Sequence, residues 1–310
     1  MRETNLGRRR GRGTGQRLPA PVRIIIPVAV ALLVLAVVDG LLSGQANPET
    51  ESVVQMAAGA AVAVGLLVVW SRYIDYRPLA AYGLGGAWLP DFVAGVAIAS
   101  LVHLGALAVL LGMGWASVTA IGSPGATGSF ALGILAAVVS RLFVAVWEEL
   151  LFRGLFVKNA AEGLSGWFTA KQAVVGAWAV SSVVFGLIHF QAAASPVALT
   201  FWILLGGVLG LGYVLTGKLA LPIGFHFAYN LVGVHVFNVF GADPAVAGEA
   251  VLFATVLRVV PVAGAPETFV GVAGLVNVAF GVFGGLLVLV WAWYHHGLQV
   301  DRTIAMWRPR

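Results

Sequence analysis

The chain of 310 residues contains no cysteine. Disulfides, thiolate nucleophiles and cysteine-ligated zinc or iron–sulfur centres are thereby excluded, and the redox state of the compartment leaves no mark on the sequence. Charge is scarce as well. Asp, Glu, Lys and Arg make up 10% of the residues, against about a quarter in a soluble globular domain. With 60% hydrophobic residues and a mean hydropathy of +0.94, a water-soluble fold of this size could not hide its apolar surface, whereas lipid can serve as its solvent. The net charge of +5 would suit nucleic acid if the basic residues formed one patch. Most of them flank apolar runs instead, which points to membrane orientation and away from nucleic acid.

Eight apolar stretches reach the roughly 20 residues needed to cross the hydrocarbon core: 24–43, 52–71, 91–113, 130–157, 172–190, 197–215, 219–240 and 268–294. The predicted fold is all-α, a polytopic transmembrane helical bundle of about eight helices. It forms a single domain over 24–297, between a disordered basic tail at 1–23 and a short tail at 298–310. The 40 glycines suit close helix approach in lipid, where small residues form the interfaces. No soluble second domain and no internal repeat is legible.

Orientation follows from Lys and Arg. With the N-terminus in the cytosol, Arg72, Arg77, Lys158, Lys171 and Lys218 fall on the cytosolic side, with the N-terminal arginines, Arg302, Arg308 and Arg310. The outer connections hold Arg258 among Glu49, Glu51, Asp243, Glu249 and Glu267. The expectation is a multi-pass protein of the cell (plasma or inner) membrane with both termini cytosolic. A cleaved secretory signal is a rival reading of the Arg-rich tail, apolar run and small residues near Ala46, but Asp39-Gly40 interrupts the end of that run. The outer run Gly248–Val260 is expected to lie as an amphipathic helix on the leaflet.

In lipid an ionisable side chain costs about 2.5–3.5 kcal/mol at a helix centre, so each one asks for a function. The fourth span carries Trp147-Glu148-Glu149-Leu150-Leu151-Phe152-Arg153. At i,i+4 spacing Glu149 and Arg153 share a face and explain each other as an ion pair. Glu148 points elsewhere and is left unexplained. The fifth span ends Phe185-Gly186-Leu187-Ile188-His189, and the seventh holds His226-Phe227-Ala228-Tyr229-Asn230. Each of these has a bland reading, a packed histidine or an interhelical hydrogen bond. His103, His235, Asn238, Asn277, His295 and His296 are read as structural or interfacial, because none has a partner at helical spacing or because snorkelling suffices.

Taken together, a carboxylate pair, a histidine and a histidine–asparagine pair suit attack of water on an amide. Glu148 is the candidate base, His189 a candidate to orient the water, and His226 with Asn230 candidate donors to an oxyanion. No Gly-x-Ser-x-Gly is present, and Ser181 and Ser182 lie two turns from His189, so no serine nucleophile offers itself.

Glu-Glu-x-x-x-Arg, Phe-x-x-x-His and His-x-x-x-Asn, in this order on successive apolar segments within about 130–240, resemble the CPBP family. These are the type II CAAX prenyl endopeptidases and the bacteriocin-processing or Abi proteins. The resemblance implies an eight-helix membrane bundle and a glutamic-type intramembrane endopeptidase. Glu148 would be its general base, sharing the catalytic water with His189. Glu149, Arg153 and Phe185 would support the site, and His226 and Asn230 would form the oxyanion hole. The implied partner is a hydrophobic or membrane-bound protein or peptide, and no cofactor is implied.

Two rival readings stand beside this one. Glu148, His189 and His226 could form the first shell of a zinc protease. Alternatively, the cluster could serve a non-catalytic membrane partner or a transporter, for which broken helices and paired repeats would speak. The depths also fit poorly. Counted from the cytosolic ends, Glu148 lies about 15 Å deep and His189 about 25 Å if its helix starts at 172. Assembly of the site then calls for 159–171 to fold inward as an interfacial segment.

Overall fold

In a computed structural model, residues 18–189, 196–238, 252–271 and 274–307 are described. The chain opens with α1 (Ala20–Leu42) and α2 (Pro48–Val69), the latter started by Asn47, whose side chain accepts from the Thr50 amide at 2.9 Å. The missing donor of Pro48 costs nothing in that first turn. Next come α3 (Leu89–Gly112), β1 (Ala116–Ser123) and α4 (Phe130–Glu149). A wider π-helical stretch, Leu150–Val157, carries α4 without a break into α5 (Lys158–Leu164). Then follow α6 (Ala170–His189), α7 (Pro196–Thr216), α8 (Ala220–Asn230) with a π-helical end Leu231–Val236, β2 (Thr255–Pro261) and α9 (Leu275–His296).

Among the described residues, seven helices are long and apolar enough to cross a membrane. The protein is a multi-pass, all-α membrane bundle. The remaining expected span, 219–240, is the shorter α8 with its π-helical end, and 239–240 lie outside the described residues. Its length has a physical reason. α8 is buried along nearly its whole course, packed on α3, α4 and α7, so protein rather than lipid surrounds it.

Two glycine contacts bring α8 that close. A β-carbon on Gly224 would lie 2.1 Å from the Phe92 carbonyl oxygen, and one on Gly95 would lie 2.3 Å from that of Leu221. Helices α6 and α7 approach in the same way, since a β-carbon on Gly186 would sit 2.4 Å from Ile203. This is the small-residue packing that lipid favours.

Three expectations are corrected. The fourth span does not end near 157. Its helix runs 35 residues, Phe130–Leu164, because Lys158 and Asn159 are buried by protein rather than left at the interface. Glu148 therefore lies about 24 Å of rise from that end and His189 about 28 Å from the start of α6, so the mismatch of depth disappears. No inward-folding segment over 159–171 is needed. In the outer connection, 248–251 lie outside the described residues, and 255–261 form a strand rather than an amphipathic helix. It pairs antiparallel with β1, Ala116 opposite Pro261 and Ser123 opposite Thr255, with an irregularity between Val118 and Ala120. The β-branched run Thr255-Val256-Leu257-Arg258-Val259-Val260 favours that pleated pairing once a partner strand exists. Of the N-terminal tail, 1–17 lie outside the described residues, and 20–23 are the first turn of α1.

Residues 298–307 pack back on the bundle. Ile304 and Ala305 are buried, and the Lys158 ammonium donates to the Thr303 carbonyl at 2.8 Å.

Candidate active site

Three helices carry the sequence-selected groups, and a fourth, α7, packs against Arg153 and His189. Glu148 and Glu149 close α4, just before the π-helical stretch. His189 ends α6, Gly206 and Trp202 lie on α7, and His226 and Asn230 lie one turn apart on α8. Both α4 and α8 change to π-helical winding immediately after their polar residues, a departure that recurs at functional sites because it re-aims the side chains that follow.

Glu149 is fully buried and is the hub. One of its oxygens, Oε1, accepts from Arg153 Nη1 at 3.0 Å and lies 2.8 Å from His226 Nδ1. Arg153 also donates Nη2 to the Gly206 carbonyl at 2.9 Å, and its guanidinium stands over the Phe185 ring at 4.7 Å. A cation in this apolar setting is held by charge, a backbone acceptor and an aromatic face together. The i,i+4 pair is thus present, and it also holds an imidazole.

The two imidazoles are fixed in the same sense. With Glu149 as carboxylate, His226 Nδ1 is a donor, and Nε2 is turned to Glu148 Oε2 at 3.9 Å. His189 Nδ1 donates to the Phe185 carbonyl at 2.8 Å, and its Nε2 faces the same Glu148 oxygen at 3.8 Å. That oxygen is buried with no hydrogen-bond partner among the described residues. Both gaps are too long for a direct hydrogen bond and short enough for one shared water. The His189 side chain keeps 23% exposure against 7% for Glu148, so the carboxylate is the deeper of the two.

His189 stacks on two rings, Phe185 at 4.4 Å and Trp202 at 4.8 Å, inclined to it by 30° and 25°. Phe185 also meets Phe152 edge-on at 5.4 Å and His226 at 6.2 Å. Sequence reasoning missed Trp202, and no signal could have found it: one tryptophan in an apolar span looks like any other. Asn230 is half-buried, one turn beyond His226.

The residues set aside as structural lie elsewhere. His103 stacks on Tyr229 at 4.3 Å, and His235 meets Phe253 edge-on at 5.4 Å. His296 binds Asp91 at 2.8 Å, and Asp91 also takes Lys218 and Trp291, each at 2.9 Å.

Residues 128–232 match the family model of type II CAAX prenyl endopeptidase Rce1-like proteins. That central segment is similar to the Rce1-like family. The match holds the whole glutamate–histidine cluster, from Glu148 to Asn230, and bears out the resemblance to the CPBP family. The family is one of proteases, so hydrolysis is the chemistry it implies. No curated protein and no solved structure matches the chain.

Proposed function

We propose that this protein is an intramembrane endopeptidase of glutamic type, cleaving a hydrophobic or membrane-bound protein or peptide. The observation that carries the reading is Glu148 Oε2, unpartnered among the described residues and faced by two imidazole nitrogens across gaps that fit a water. Glu148 takes one proton of that water, while His189 Nε2, an acceptor because Nδ1 is engaged, takes a hydrogen bond from the other. The hydroxide adds to the peptide carbonyl carbon, and the charge moves to the carbonyl oxygen. Asn230 supplies an amide donor to that oxyanion. His226 Nε2 donates only when the ring carries both protons, with the Glu149 carboxylate as counter-ion. The proton on Glu148 passes to the leaving nitrogen as the C–N bond breaks, which returns the carboxylate. Both termini in the cytosol of a plasma or inner membrane complete the reading, supported by the Lys and Arg distribution.

A second reading is favoured by one observation. Each imidazole binds a fixed acceptor through Nδ1 and aims Nε2 at Glu148, the arrangement by which outer partners orient zinc-ligating histidines. The Nε2–Oε2 separations of 3.8 and 3.9 Å exceed the roughly 3.3 Å expected between ligands of a tetrahedral shell with bonds near 2.0–2.1 Å. The donor types fit zinc and the spacing fits a water better. If zinc were held, Glu148, His189 and His226 would be its ligands, and its part would be to acidify bound water.

The deciding experiment is a peptide-cleavage screen in proteoliposomes, parent against Glu148→Gln, with metal analysis of the same preparations. Cleavage by the parent, lost in the variant, with less than one zinc per several chains, is the expected result. Stoichiometric zinc lost together with activity would transfer the same residues to the metal reading. Equal cleavage by both proteins would end the assignment of Glu148.

A further inference from the structure

A large apolar cleft of about 810 Å³ lies outside the glutamate–histidine cluster, between α1, the continuation of α4 through α5, and α6. Only Pro, Gly and hydrophobic side chains line it, from Ala20 to Leu32 on α1, Phe156 to Trp167 opposite, and Ala177 to Val184 on α6. Water inside would find no polar partner, so the occupant is apolar. The stretch Ala20–Leu32 rises about 18 Å, close to the roughly 15 Å of one leaflet's hydrocarbon. Helix α1 packs along α2, and its start is tied to the α4–α5 continuation and to Asp75. There Ala20 meets Gly163, and Arg23 donates to Asp75 at 2.8 Å and to Asn159 at 2.6 Å. Beyond that end the cleft separates α1 from α6.

The same end carries the marks of the headgroup level. Trp167 is 82% exposed and Phe168 52%, the placing expected of aromatic residues at a membrane–water boundary. Lys171 is exposed in the first turn of α6. The sequence ahead of Pro19 holds Arg8, Arg9, Arg10, Arg12 and Arg17, basic residues of the kind that favour anionic lipid.

We infer that the cleft holds one acyl chain of an anionic phospholipid, drawn from the leaflet at the N-terminal end of α1, with its headgroup beside Trp167 and Lys171. The site is separate from the proposed catalysis and does not depend on it. The test uses the full chain in mild detergent, titrated with phosphatidylglycerol and with phosphatidylcholine of identical acyl chains, and read by native mass spectrometry. One phosphatidylglycerol per chain is expected to be retained, preferred by about fivefold for each basic side chain it meets. Lys171→Gln should lose one such factor. The paired substitution Val28→Phe and Ala29→Trp, which fills the cleft from a helix that lipid already bathes, should abolish retention. Should that variant fold poorly, phosphatidylglycerol with a photoactivatable acyl chain, used on the parent in nanodiscs, decides the matter. Its label should fall on 24–32 and 180–184. Equal retention of the two lipids, retention undiminished in the filled protein, or label spread evenly onto α9 would overturn the inference. So would displacement of the label by an alkylated peptide, which would give the cleft to a substrate.

Discussion

Two of the charge clusters among the apolar helices differ in how their carboxylates are matched. At the end of α1, Asp75 and Glu162 each bridge two cations. Asp75 takes Arg23 at 2.8 Å and lies 3.7 Å from Arg77, and Tyr82 adds a hydroxyl at 2.6 Å. Glu162 takes Arg23 at 3.3 Å and also binds Arg77. In the middle of the bundle, Glu149 is matched in that way by Arg153 and His226. Its sequence neighbour Glu148 leaves Oε2 without a hydrogen-bond partner among the described residues, with the two imidazole nitrogens that face it at 3.8 and 3.9 Å. The same residue types therefore stand in two different arrangements. Where charges close on one another they tie helices together, and where a gap is left between them a reactant can be held.

The largest expected effect is at the gap. Glu148→Gln keeps the shape of the side chain and removes the base, so cleavage in proteoliposomes should fall by about 10²–10⁴ with folded yield unchanged. A loss of folded yield equal to the loss of activity would put Glu148 with the structural carboxylates. Asn230→Ala should lower cleavage by about 10²–10³, in kcat rather than KM, as expected for a donor that acts only on the oxyanion. A rise in KM alone would make Asn230 a substrate contact.

The matched carboxylates should respond through stability. Glu149→Gln leaves Arg153 short of its charge partner and weakens the bond that sets His226, so thermal unfolding in detergent should show a loss of about 3 kcal/mol. Activity should fall too, through the imidazole. Asp75→Asn should cost stability by a similar mechanism, while cleavage per folded molecule stays within about twofold, as for independent sites. A hundredfold loss per folded molecule at Asp75 would erase the distinction between the two clusters.

The groups that meet at the site were legible early. Glu148, His189 and His226 stand out because each costs free energy in lipid, and i,i+4 spacing alone pairs Glu149 with Arg153 and His226 with Asn230. Less legible was the cluster around Asp75. Its members sit near the ends of spans, where charge is ordinary and needs no explanation.

The sequence by itself determined the solvent of this protein, the all-α class, nearly all of the spans and the identity of the polar groups within them. Hydropathy and helical spacing are properties of neighbouring residues, and the bilayer enforces them span by span. The tertiary structure alone decided that α4 runs on to Leu164, that 255–261 pairs with 116–123, and that α8 is enclosed by protein. It alone placed Trp202 across His189 and gave one oxygen of Glu149 to both Arg153 and His226. Each of these rests on contact between segments far apart in the chain, where burial by a neighbour overrides what a residue's own hydropathy or propensity would choose.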